Sequence, residues 1–293
     1  RVELYDYEYA KFTHPPLAKV ESVGDVKGDF LIKKLQFFNF EEMVNLYYEQ
    51  KEKVIHKVKK SEKKEEKLYL DNLRKDNEFI AMGSFNSLFI ICSYLRGMDR
   101  FLLDLAANKK VAQRIIGLVG EYCLEYNKRE LESFGKDAEF YCCWDDVATQ
   151  DDIFFRPELF KKYFLPIYKK LIEETKKYNL IFDWHCCGNV NKVLPMMTDA
   201  GIDIFDVVQT SAKDMGLENM HRLYGKSVCL HGGMDVQHLL FQKKPEDVKN
   251  EVKKVIDLWG KRGGIILSPS HECMPGTPVE NILAIYKTIN DFL

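Results

Sequence analysis

From Asn77 onward, short apolar runs alternate with amphipathic helical stretches, and this alternation limits the available folds more than any other feature. Six runs read as strands: Glu78–Gly83, Glu139–Trp144, Asn179–Trp184, Ile202–Val208, Ser227–His231 and Gly264–Leu267. Helical stretches separate them, among them Val111–Tyr126, Arg156–Tyr178, Val190–Ala200 and Pro245–Lys261, and Val279–Leu293 closes the chain. At roughly 25–45 residues per unit, successive strands run parallel and are joined by crossover helices. A doubly wound open sheet and a closed (β/α)8 TIM-type barrel both satisfy this pattern. No GxGxxG or GxxxxGK[ST] loop follows any strand, which argues against nucleotide binding. The length of 293 residues suits one barrel. The expected fold is therefore an α/β barrel of the TIM type. Val2–Tyr9 would supply a seventh strand. The chain starts at Arg1 without Met, so an eighth is expected from residues before it. Residues 1–293 read as one domain, irregular and helical over 1–76 and built of barrel units over 77–293.

Composition narrows the class. Net charge is −2, so the basic excess of a nucleic-acid binder is missing. No apolar run is long enough for a membrane span, and no signal peptide is visible at Arg1. A cytoplasmic location is expected, and with it reduced thiols for the eight cysteines. Lys51–Lys67 is made largely of Lys, Glu, Val and Ser and reads as a long solvated helix or a mobile excursion.

In a barrel the catalytic groups stand at the C-terminal strand ends. Those ends carry Asp145 and Asp146, then His185 and Cys187, Gln209, Asp235, and finally His271, Glu272 and Cys273. His185 and Cys187 are two residues apart, so in extended chain they share a side while Cys186 faces the wall. Imidazole and thiolate together suit zinc. The bland alternative is a buried thiol beside a satisfied core histidine. His271 and Cys273 repeat the spacing, and either could supply the third ligand. Adjacent carboxylates point apart, so only one of Asp145 and Asp146 should face the site; helix capping is the plain alternative. Asp235 follows Gly232-Gly233, where backbone can approach a ligand. Arg96 could bind a substrate carboxylate or form a structural pair with Asp99 or a neighbour.

Five segments resemble the uroporphyrinogen decarboxylase superfamily: Ser93–Asp104 (SYLRGMDRFLLD), Trp144–Gln150 (WDDVATQ), His185–Gly188 (HCCG), His231–Gln237 (HGGMDVQ) and Ser270–Asn281 (SHECMPGTPVEN). Their order and spacing agree over residues 77–293, and His14–Ala18 is similar to an upstream HPLA turn. The resemblance implies a (β/α)8 barrel and two possible chemistries. The decarboxylases use an arginine-rich RQAGR loop, and no such loop occurs here. The HxCG motif instead resembles zinc- and corrinoid-dependent methyltransferases, whose ligand pair maps onto His185 and Cys187. Their third ligand, a cysteine, maps onto His271, with Cys273 two residues on. The implied function is methyl transfer between a small-molecule donor or acceptor and cobalamin carried on a separate corrinoid protein, since no DxHxxG signature occurs here. Asp145 and Asp146 would be the substrate-facing acids, with Arg96, Gln209 and Asp235 binding substrate. The decarboxylase relatives also imply a homodimer. A metal-free decarboxylase acting on a polycarboxylate is the second reading.

Overall fold

The computed structural model describes residues 17–26, 81–84, 87–259 and 263–292. The expectations for Val2–Tyr9 and for a helix over 41–76 lie outside these residues. The chain divides into two compact units, Arg1–Phe140 and Tyr141–Leu293.

The first unit contains strand β1 (Ala81–Ser84) and helices α1 (Leu88–Arg96), α2 (Met98–Ala106) and α3 (Lys109–Phe134). Gly97, at φ +87°, breaks α1 from α2. Phe89 and Phe101 pack across that break with ring centroids 5.9 Å apart, both fully buried.

The second unit is a strand–helix series: β2 (Phe140–Trp144), α4 (Leu165–Lys176), β3 (Ile181–His185), α5 (Leu194–Ala200), β4 (Ile204–Val208), α6 (Leu217–Tyr224), β5 (Cys229–Met234), α7 (Leu239–Gln242), α8 (Pro245–Trp259), β6 (Ile265–Pro269) and α9 (Val279–Asn290). The strands lie in sequence order, and β3 through β6 pair in parallel. That is what crossover helices impose. Each strand anticipated after residue 77 is present, displaced by at most a few residues. The helix expected over 156–178 is interrupted. It opens as a single turn at Pro157–Leu159, widens over Phe160–Phe164, and becomes regular only from Leu165. Pro166 has no N–H to give, so the ladder shifts and the Leu165 amide bonds the Phe160 carbonyl. The helix expected from Val190 starts at Leu194, where Pro195 occupies the first turn. The short helices α6 and α7 were not anticipated.

Alternation along β3 separates two layers. Phe182 and Trp184 are fully buried on the helix side. Trp184 meets Tyr168 of α4 edge-on at 6.2 Å and Phe205 of β4 at 5.9 Å. Asp183 and His185 take the opposite face, where a polar layer forms. No helix among the described residues is long and apolar enough to cross a membrane.

Candidate metal centre

His185 is the last residue of β3, directly opposite Asp206 of β4 in register. Its Nδ1 lies 2.5 Å from Asp206 Oδ2. A carboxylate there holds the proton on Nδ1 and leaves Nε2 as the free donor. That nitrogen faces Cys187 Sγ at 3.5 Å. Burial by itself would depress the imidazole, but the hydrogen bonds to Asp206 and Cys187 outweigh it and push its pKa up to about 10.

The turn after β3 is fastened at three successive amides. Cys187 N–H donates to Asp146 Oδ1 at 2.8 Å, Gly188 N–H to Gln209 Oε1 at 2.8 Å, and Asn189 N–H to the Thr149 carbonyl at 2.8 Å. Gly188 has φ +86°, and a Cβ there would sit 2.4 Å from the Thr149 oxygen. Only glycine fits both the dihedral and the approach. Cys186 points into the wall, where its sulfur accepts the Val147 amide at 3.3 Å. Burial pushes this thiol well above its ordinary range, so it stays neutral.

Asp145 and Asp146 separate as adjacent residues leaving a strand should. Asp145 is 2% exposed and accepts the Tyr168 hydroxyl. Burial, then the Asp145 charge, raises Tyr168 well above its usual range, which keeps it a donor. Asp145 Oδ1 also accepts the Asp146 amide at 3.0 Å. Asp146 is the carboxylate that reaches the pair: Asp146, His185 and Cys187 each offer a donor atom within 4.8 Å of the others.

These atoms fit zinc. Bonds of about 2.0–2.1 Å to nitrogen and about 2.3 Å to sulfur, at a tetrahedral angle, place the two donors about 3.5 Å apart. The observed His185–Cys187 separation is 3.5 Å. Three protein donors with a fourth position open is the arrangement of catalytic rather than structural zinc.

The remaining candidates are placed elsewhere. His271 and Cys273 lie on the loop after β6, and neither joins His185 and Cys187 as a third donor within 4.8 Å. Where the spacing led to an expectation of His271 or Cys273 as third donor, the donor found beside the pair among the described residues is Asp146. An i, i+2 pair brings its own two side chains together but does not by itself carry them to a distant strand end. Arg96 is 6% exposed and committed within its own unit, to Asp104 Oδ2 at 2.7 Å and to the Leu17 and Ala18 carbonyls at 2.6 and 3.0 Å. Its structural partner is Asp104 and not Asp99. Gln209 is 5% exposed and braces the Gly188 amide. Asp235 caps its own turn, accepting Gln237 N–H at 2.7 Å and lying 2.8 Å from His238 Nδ1. It lines a shallow cleft of about 230 Å³ with Thr210, Gly233 and Leu239.

The strand interiors held residues that the reading of strand ends passed over: Asp183, Asp206 and His231. Their signal was a charged or imidazole side chain at alternate positions of otherwise apolar strands. Burial, then the Asp206 charge, pushes Asp183 up to about 7.

The model of the family described as Uroporphyrinogen decarboxylase (URO-D) matches residues 50–292. Methylcobamide:CoM methyltransferase MtbA of Methanosarcina acetivorans is 24% identical over 215 residues, 73% of this chain and 59% of that protein. Uroporphyrinogen decarboxylase of Geotalea daltonii is 26% identical over 173 residues, 57% of this chain and 45% of that protein. The chain thus spans about half to three fifths of these curated relatives. A solved methyltransferase from Methanosarcina mazei superposes with a TM-score of 0.61 at 20% identity, over 76% of this chain and 62% of its own. The shared fold is the α/β barrel expected from the strand–helix alternation. On the match over residues 50–292, the chain belongs to the uroporphyrinogen decarboxylase family.

Proposed function

We propose that this chain transfers a methyl group between a thiol-type small molecule and cobalamin carried on a separate corrinoid protein, with zinc held by His185, Cys187 and Asp146. The observation that carries the reading is the 3.5 Å separation of His185 Nε2 and Cys187 Sγ at the end of β3. The methylcobamide:CoM methyltransferases among the relatives support the same chemistry. Bound there, zinc would keep a coordinated thiol deprotonated and nucleophilic near neutral pH.

The chain's own residues prepare that site. Asp206 holds the proton on His185 Nδ1, so Nε2 is the nitrogen left for zinc once the metal displaces its proton. Asp146 orients Cys187 through the backbone amide, and Gln209 fixes the following turn. Trp144 stands edge-on to the His185 ring at 6.2 Å and narrows its surroundings. Tyr168 clamps Asp145 in the wall, which sets the direction in which Asp146 leaves β2.

The metal-free decarboxylase reading is favoured by the decarboxylases among the relatives. It needs a free cation for a polycarboxylate, and Arg96 is already paired with Asp104. Metal analysis of the purified chain, with transfer from methylcobalamin to a thiol followed by absorbance, tests the main reading. One zinc per chain and thiol-dependent demethylation are expected. A zinc-free chain, or one whose activity survives His185→Ala, overturns it.

A further inference from the structure

Next to the pair already described, three more donors converge. Asp183 of β3, Asp206 of β4 and His231 of β5 each offer an atom within 4.8 Å of the others. The sheet register produces the group. His185, Asp206 and His231 are successive Cα partners across three adjacent parallel strands. Asp183, two residues before His185, faces the same side.

The methyl-transfer site leaves two of these groups without a role. Asp183 is 6% exposed and its Oδ1 has no hydrogen-bond partner. Its Oδ2 has the Cys142 thiol at 3.7 Å. His231 Nδ1 is also buried without a hydrogen bond, lying 3.3 Å from Asp206 Oδ1 but off the hydrogen-bonding direction. Among the described residues, the ion-pair partners of Asp206 are His185 and His231, and Asp183 has none. Asp206 is already paired with His185, but withdrawing the Asp183 carboxylate from water without an ion-pair partner is costly, and so is leaving its Oδ1 and the His231 Nδ1 unmatched. A divalent cation answers both at once.

We propose that Asp183, Asp206 and His231 form a second divalent-cation site, distinct from the His185–Cys187–Asp146 site. Two carboxylates favour a manganese-class ion over a thiol-seeking one, and the imidazole disfavours calcium and magnesium. Asp206 serves both sites, with Oδ2 on His185 and Oδ1 toward His231. The proposal stands independently of the methyl-transfer reading.

The test uses the full chain stripped with chelator, reloaded with one equivalent of Zn²⁺ and titrated with Mn²⁺, with free Mn²⁺ followed by its paramagnetic resonance. Wild type is expected to retain one Mn²⁺ per chain beside its zinc. His231→Gln and Asp183→Asn should each weaken Mn²⁺ by more than the about 10–100-fold that an outer-shell partner costs. Retained zinc in these variants shows that they are folded, and Cys187→Ala should keep its Mn²⁺. Should wild type retain no Mn²⁺, or both first-named variants bind it as wild type does, the second site is refuted. Zinc binding and methyl transfer would be untouched by that outcome.

Discussion

The end of β3 and the loop after β6 carry the same pattern, His-x-Cys, and the structure treats them in opposite ways. At β3, His185 is anchored by Asp206, Cys187 by Asp146, and the next amide by Gln209. After β6, His271 is exposed, and among the described residues neither it nor Cys273 is drawn to a second donor set. A metal site therefore needs more than spacing. It needs a rigid strand end and neighbours that hold each donor in one rotamer before the ion arrives.

The largest expected effect is at the β3 pair. Cys187→Ala removes a donor atom, so zinc content after dialysis should fall to background and methyl transfer with it; retention of zinc would break the contrast. Asp206→Asn keeps the shape but weakens the hold on His185 Nδ1. Zinc affinity, measured by chelator competition, should drop by about 10–100-fold. Zinc must also displace the proton of His185, whose pKa is raised to about 10. Affinity should therefore rise with pH below that value, by about tenfold per unit for one proton released. The metal-free chain should behave oppositely. A raised pKa stabilises it fully below the unfolded value of about 6.5 and is lost as pH rises toward 10. Thermal melts with and without zinc check that crossing of signs. Gly188→Ala places a Cβ against the Thr149 oxygen at positive φ. A loss of about 1–3 kcal/mol in denaturant melts is expected. The smallest effect belongs to the β6 loop: His271→Ala and Cys273→Ala should leave zinc content at the wild-type level. A loss of zinc in either would restore the loop as a ligand source.

Much of the framework was legible because periodicity is local. The apolar runs at 139–144, 179–184 and 202–208 set strands β2 to β4, and crossover geometry set their parallel direction. His185 and Cys187 were legible because a strand's two-residue period puts them side by side. Asp146 was visible as a strand-end acid, but nothing along the chain marked it as the donor nearest the pair. Arg96 read as a possible substrate cation because its partner, Asp104, lies two turns further along the chain, across the Gly97 break. The polar layer of Asp183, Asp206 and His231 escaped notice because each looks unremarkable on its own strand.

The sequence by itself determined the element order, the parallel sheet and the His185–Cys187 pair, since these depend on neighbours within a few residues. Only the tertiary structure decided which third donor stands beside the pair, which of two adjacent aspartates turns inward, and that three isolated side chains share one point. Those outcomes depend on register between strands whose contacting residues are 21 to 41 positions apart. A one-residue slip of β4 would send Asp206 to the other face, dissolving the Asp183–Asp206–His231 cluster and stripping His185 of its anchor.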